Sequence, residues 1–180
     1  MAKFGIDEGL IFRPVRIAIL TVSDTRTQAN DTSGDILLER LEMAGHELAD
    51  RKFLKDDKNL IQDQVKNWTT REDIQVIIST GGTGLTGRDV TVEAMRPLFD
   101  KEIDGFSVVF HMVSYGTVGL STLQSRACAG LIGDTFVFCL PGSNGAVKDG
   151  WDKVIRDQLD SRHRPCNFVD LMPRLSLIHI

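Results

Sequence analysis

The sequence predicts an α/β domain built on a mostly parallel sheet that carries one antiparallel hairpin. Three observations carry this expectation. Short apolar runs alternate with stretches of helical periodicity in the order β-α-β-α-β-α, which calls for parallel strands joined by right-handed crossovers. The run Val76-Ile77-Ile78 holds no charge, as in a strand buried on both faces. Further on, Ala127 to Ile132 and Thr135 to Leu140 flank Gly133-Asp134, a two-residue hairpin signal. A length of 180 residues fits one domain with a sizeable core.

Residues 1–12 read as a loose arm, 13–168 as the domain, and 169–180 as a tail ending in the apolar SLIHI. Val15 to Val22 reads as the first strand. Thr32-Ser33-Gly34-Asp35 resembles a capping box with Asp in place of Glu, and opens a helix to Ala44 with Ile36, Leu37, Leu41 and Ala44 on one face. Gly45 is its stop. Glu47 to Leu54 is polar enough to lie at a sheet edge. Asp57 is an N-cap for a helix over 58–68, with Ile61, Val65 and Trp68 at helical spacing. Ile74 to Ser79 is the next strand, and Thr91 the N-cap of a short helix ended near Pro97. A helix over 106–114 places Phe106, Val109, Phe110 and Val113 together. After the hairpin, Pro141-Gly142-Ser143-Asn144-Gly145 forms a glycine turn into a last helix over 146–159.

The stretch VIISTGGTGLTGRDV is the most informative. Gly81, Gly82, Gly84 and Gly87 alternate with Thr80, Thr83 and Thr86. Glycine allows positive φ and close approach of a ligand to backbone N–H groups, and such a turn ahead of a helix is an anion site. Gly82, Gly84 and Gly87 satisfy G-x-G-x-x-G, but in a dinucleotide fold the glycines follow the first strand, and here earlier strands precede them. The P-loop pattern fails at Arg88 and Asp89, which replace its lysine and hydroxyl. The expected ligand is therefore a phosphate-bearing molecule of another kind. Ser23-Asp24, Thr80 to Gly84, and Pro141 to Asn144 all follow strands. In a parallel sheet they share one edge, which makes one pocket from three distant loops.

Asp56, after the second strand, and Asp89, closing the glycine turn, are carboxylates beside a phosphate site, a setting that fits Mg²⁺. Asp57 reads as a cap. Arg126, after Ser125, could clamp an anion with its planar fork.

Composition narrows the classes. A net charge of −4 and a pI near 5.5 argue against a nucleic-acid binder. No apolar run reaches the roughly 18 residues of a membrane span, and the first residues lack the apolar core of a signal peptide. Cys128, Cys139 and Cys166 show no metal-ligand spacing. A reducing, cytoplasmic setting is expected. His46, His111 and His163 have no partner pattern, and no nucleophile elbow is present.

Read together, STGGTGLTGRDVTVEAM, EIDGF, LQSRACAG and FCLPGSNGAV, in that order, resemble molybdenum cofactor biosynthesis proteins of the MoaB/MogA type. TVSDT, DDTSGDILLERLEMAGHE and QLDSRHRPCNF resemble the MoaB branch. The resemblance covers roughly residues 13–168 and implies a three-layer α/β domain that assembles as a trimer or hexamer. It implies molybdopterin as substrate and, in adenylating members, transfer of AMP from Mg-ATP to the pterin's terminal phosphate. The family's two catalytic aspartates match Asp56 and Asp89, which would also hold Mg²⁺. Its ligand-binding segments match Gly81, Gly82, Thr83, Gly84, Ser125, Arg126, Pro141, Gly142, Ser143 and Asn144. Two departures stand out. Ser23-Asp24-Thr25 replaces a frequent Ser-Asp-Arg, with Arg26 one place later, and Lys55-Asp56-Asp57 replaces Pro-Asp-Glu. The alternative implied is a trimeric pterin-binding carrier without the chemistry.

Overall fold

The computed structural model describes residues 4–175. In chain order it contains β1 (Gly5–Ile6), β2 (Arg16–Val22), α1 (Thr32–Met43), β3 (Glu47–Leu54), α2 (Lys58–Thr69), β4 (Val76–Thr80), α3 (Thr91–Met95), β5 (Lys101–Glu102), α4 (Asp104–Val118), β6 (Cys128–Ile132), β7 (Thr135–Leu140), α5 (Asn144–Gly150), α6 (Arg156–Leu159), β8 (His163–Arg164) and α7 (Met172–Leu175). A π-helical turn, Trp151–Ile155, joins α5 to α6.

The main sheet has six strands in the order β3-β2-β4-β7-β6-β5. The first four run parallel, β6 is antiparallel to β7, and β5 is antiparallel to β6. The polar strand β3 lies at an edge, as its sequence required.

Side chains alternate across the sheet and separate two cores. Ile17, Ile19, Val76, Ile78, Phe136 and Phe138 face α1, α4 and the α5–α6 segment, against Leu37, Leu41, Phe110, Val147 and Trp151. Ala18, Leu20, Ile77, Val137 and Cys139 face α2 and α3, against Ile61, Val65, Trp68, Val92 and Met95. The result is a three-layer sandwich. Each fully buried Ile, Val or Leu contributes about 1.5–3 kcal/mol of transfer free energy, so the charge-free run in β4 needs both helical layers.

Several local expectations are refined. Asp31, not Thr32, caps α1: its carboxylate accepts from the Gly34 N–H at 3.0 Å. Asp57 caps α2 through the N–H groups of Asn59 and Leu60. Thr91 does not cap α3; its hydroxyl donates to the Gly81 carbonyl at 2.9 Å. Residues 5–6 are tied down by pairing with 163–164. Met172 and Leu175, in the tail, pack against the first core. The SLIHI end lies outside the described residues.

The helical run Asp104–Gln124 extends well beyond the expected 106–114. Contrary to the expectation of no such run, its 21 residues contain an 18-residue window of mean hydropathy 1.3, long and apolar enough to cross a membrane. One face nevertheless packs on the sheet through Phe106 and Phe110.

β2 and β4 are neighbours, but the chain leaves them in opposite directions: α1 packs on one face of the sheet and α3 on the other. This divergence opens a crevice at the carboxyl ends of the strands, where open α/β sheets bind ligands.

Candidate functional site

A cleft of about 420 Å³ occupies that crevice. Thr21 to Arg26 and Ser33 line it from the β2 side, Asp56 from the end of β3, and Thr80 to Gly84 with Arg88 and Asp89 from the glycine turn. Gln124 and Ser125 line it before β6, and Pro141 and Gly142 after β7. The three strand ends therefore converge, as the parallel order requires.

Two glycines are needed for that convergence. Gly81 has φ +99°, and a Cβ there would fall 2.1 Å from the Val22 carbonyl oxygen. Gly82 has φ +63°, and a Cβ there would fall 2.3 Å from Thr91 Oγ1. The Gly81 N–H donates to Leu140 O at 3.0 Å, which joins the ends of β4 and β7.

The two predicted aspartates occupy opposite electrostatic environments. Burial alone would raise the pKa of Asp89, but its carboxylate accepts from the Thr86 hydroxyl at 2.6 Å and the Thr86 N–H at 3.0 Å. These contacts hold it below the ordinary carboxylate value. Among the described residues the Asp56 carboxylate has the Asp24 backbone N–H as its donor, whose downward pull is outweighed. Burial raises its pKa, and the charge of Asp24 raises it further. Asp24 in turn accepts from the Asp56 N–H at 3.2 Å and is paired with Arg88 at 2.8 Å.

No group of three His, Cys, Asp or Glu side chains is arranged to hold a metal among the described residues. The donor set does fit Mg²⁺, which takes one or two carboxylates and completes its shell with water and substrate phosphates. Asp56, whose charged form is disfavoured by burial and by Asp24, is the group that gains most from such a cation.

Not every expected site residue reaches the cleft. Ser143 caps α5, accepting from the Ala146 N–H at 3.2 Å. Asn144 Oδ1 accepts from the Thr32 hydroxyl at 3.0 Å. Arg126 turns its guanidinium to the glycine turn. It donates to Gly84 O at 2.8 Å and Asp89 O at 3.1 Å, and it pairs with Glu93. It braces the loop rather than lining the cleft. Ser125 does line it, and its hydroxyl is buried with no partner.

The cleft also includes residues that the sequence reading did not assign. Arg26 donates to Gly142 O at 3.1 Å and Ser33 Oγ at 3.3 Å, binding the loops after β2 and β7 together. Ser33 is placed by Asp31, which is buried among Thr21, Gly34 and Arg51. Arg88 was visible only as a substitution in a failed P-loop match. An arginine flanked by glycine and aspartate in a phosphate turn was the signal available.

A glycine-lined, carboxylate-bearing cleft at the switch point of a mostly parallel sheet defines a class of α/β proteins that bind a phosphorylated small molecule. The family described as "Probable molybdopterin binding domain" matches residues 18–161. The chain is 48% identical over 157 residues to "Molybdenum cofactor biosynthesis protein B" of Escherichia coli strain K12, covering 87% of this chain and 92% of that protein. Among solved structures, a "Molybdenum cofactor biosynthesis protein B" superposes with a TM-score of 0.81 at 42% identity, covering 91% of this chain and 96% of that one. The "tungsten cofactor synthesizing protein MoaB from Pyrococcus furiosus" superposes with a TM-score of 0.77 at 32% identity, covering 91% and 98%. The chain belongs to the MoaB/MogA family of molybdenum cofactor biosynthesis proteins.

Proposed function

We propose that the cleft binds molybdopterin and adenylates it with Mg-ATP. The terminal phosphate oxygen of the pterin attacks the α-phosphorus of ATP. The bond from that phosphorus to the bridging oxygen breaks, and pyrophosphate leaves with the electron pair. Such transfers depend on positioning and charge rather than on a protein nucleophile, and no nucleophile elbow is present in the sequence. The N–H groups of Gly82, Thr83 and Gly142 are the donors for phosphate oxygens, since those of Gly81 and Gly84 are held by Leu140 O and Asp89. Asp56 and Asp89 would hold Mg²⁺, whose charge offsets that of the polyphosphate. The observation that carries this reading is Asp56, a half-buried carboxylate whose charge burial and the neighbouring Asp24 both disfavour, in a cleft of about 420 Å³ lined by the glycine turn. Mixing the protein with molybdopterin, Mg²⁺ and ATP tests it. Pyrophosphate and AMP-pterin should appear together; if the pterin binds and neither product forms, the transfer reading is overturned.

A second reading is a pterin carrier. It is favoured by Thr25, which lies in the cleft where adenylating relatives often carry arginine. Arg26, one residue later, is held by Gly142 and Ser33 rather than being free for a triphosphate. Tight pterin binding independent of ATP would select it.

The same proposal includes a homo-oligomer, trimeric or hexameric as the resemblance implies. Val108, Met112 and Tyr115 recur at helical spacing on the outer face of α4 and are 60%, 71% and 58% exposed. Leu120 and Leu123 beyond it are each 72% exposed. A contiguous apolar face of this kind marks an interaction surface.

A further inference from the structure

Arg88 is held differently from the other cleft arginine. Its Nε and Nη2 donate to Asp24 Oδ2 at 3.0 and 2.8 Å, and its side chain is 73% exposed against 21% for Asp24. Arg26, by contrast, is half-buried and fixed to a backbone carbonyl. The loop that carries Arg88 is pinned on both sides, because Arg126 bonds the carbonyls of Gly84 and Asp89. The side chain is therefore the part free to move. Opposite it stand three carboxylates, Asp24, Asp56 and Asp89, against two guanidinium groups on the cleft wall. A cleft with that balance repels an anion unless a cation joins it or a contact is rearranged.

We infer that the Asp24–Arg88 ion pair is a resting contact that is exchanged on binding. Arg88 passes to a phosphate group of the ligand, and Asp24, with Asp56, turns to a divalent cation. This rests on the reading that the cleft holds a phosphate and a cation, and not on adenylyl transfer itself. With its arginine exposed to water, the pair opens at a small cost. The guanidinium fork fits phosphate as well as carboxylate. The exchange also couples the two ligands. The cation frees Arg88 for the anion, the anion frees Asp24 for the cation, and linkage makes the effect reciprocal.

The test uses the whole protein and two separate titrations. Mn²⁺ alone is followed by electron paramagnetic resonance, and AMP alone, in chelator, by calorimetry. Arg88→Ala should tighten Mn²⁺ by about three- to fivefold, because Asp24 is released. It should weaken AMP by about tenfold or more, the loss of a charge-assisted hydrogen-bond pair. Asp24→Asn should do the opposite, weakening Mn²⁺ and tightening AMP. These opposite signs are the signature. An Arg88→Ala protein that loses both affinities, or changes neither, overturns the exchange, because a merely structural arginine gives those results. Arg88→Gln serves the same purpose if the alanine variant fails to fold. Failure of adenylylation with the sign pattern intact would sink the transfer reading and leave the exchange standing.

Discussion

Asp56 and Gly82 approach so closely that a Cβ on the glycine would lie 2.7 Å from Asp56 Oδ1. The glycine turn thus presses its backbone onto the acid that the proposed chemistry requires. Gly82→Ala should disturb both. A positive-φ position costs a non-glycine residue about 1–2 kcal/mol, and the clash with Thr91 Oγ1 adds to it. We expect a loss of about 2–3 kcal/mol in urea unfolding and weakened phosphate-ligand binding. Gly87→Ala is the control. A Cβ there meets nothing within 4 Å and the residue has no positive φ, so stability should change by less than about 0.5 kcal/mol.

Asp56→Asn should separate stability from function. Burial and the charge of Asp24 raise the Asp56 pKa in the folded state. The contribution of Asp56 to stability is therefore fullest when it is protonated, and it is lost as pH rises through the raised value. At pH 7 without metal, the Asn variant should melt above the parent, and the gap should close as pH falls into the carboxylate range. AMP-pterin formation should drop by at least about 100-fold, and Mg²⁺ should raise the parent's melting temperature but not the variant's. A variant with parental turnover would remove Asp56 from the mechanism.

His46 sets an acid limit to the fold. It is 5% exposed, its Nδ1 accepts from the Val15 N–H at 3.2 Å, and Phe12 and Trp151 pack on its ring. Burial lowers its pKa from 6.5 to about 4, against a smaller opposing pull from Asp160. Between those values the unfolded chain takes up a proton that the folded chain refuses, so stability rises with pH across that window. From pH 7 down to pH 4 this one residue should remove up to about 3 kcal/mol. Urea midpoints over that range should show the slope, and His46→Gln should flatten it.

Met112→Glu tests the outer face of α4. A charge at the centre of an apolar interface leaves it buried and unpaired. We expect the parent to sediment as an oligomer at micromolar concentration and the variant to shift toward monomer with its fold intact. A monomeric parent would refute the assembly reading.

Much of this was legible in local sequence. The charge-free run in β4 announced a strand buried on both faces. Gly133-Asp134 announced the β6–β7 hairpin, Asp57 the cap of α2, and the polar β3 an edge. The clustering of glycines announced a turn built for close approach. Other signals were ambiguous because a side chain with several possible partners reads the same in every context. Thr91 looked like a cap and instead bonds the Gly81 carbonyl. Arg126 looked like an anion clamp and instead braces the loop with Glu93. Ser143 and Asn144 lie in the right turn, but the start of α5 uses both.

By itself, the sequence determined the five longer strands, the approximate places of the main helices and the chemistry available at each strand end, because periodicity and turn residues act over a few positions. The short pairings of β1, β5 and β8 and the full length of α4 came only with the tertiary structure. Only the tertiary structure decided which of those ends meet and in what state. The order β3-β2-β4-β7 sends α1 and α3 to opposite faces and so opens the cleft. Asp24 and Arg88, 64 residues apart, become an ion pair across it. Asp56 is set beside the like charge of Asp24, while Asp89 gains two donors from Thr86. These outcomes depend on strand order and register, which long-range packing selects, and no short window of residues encodes them.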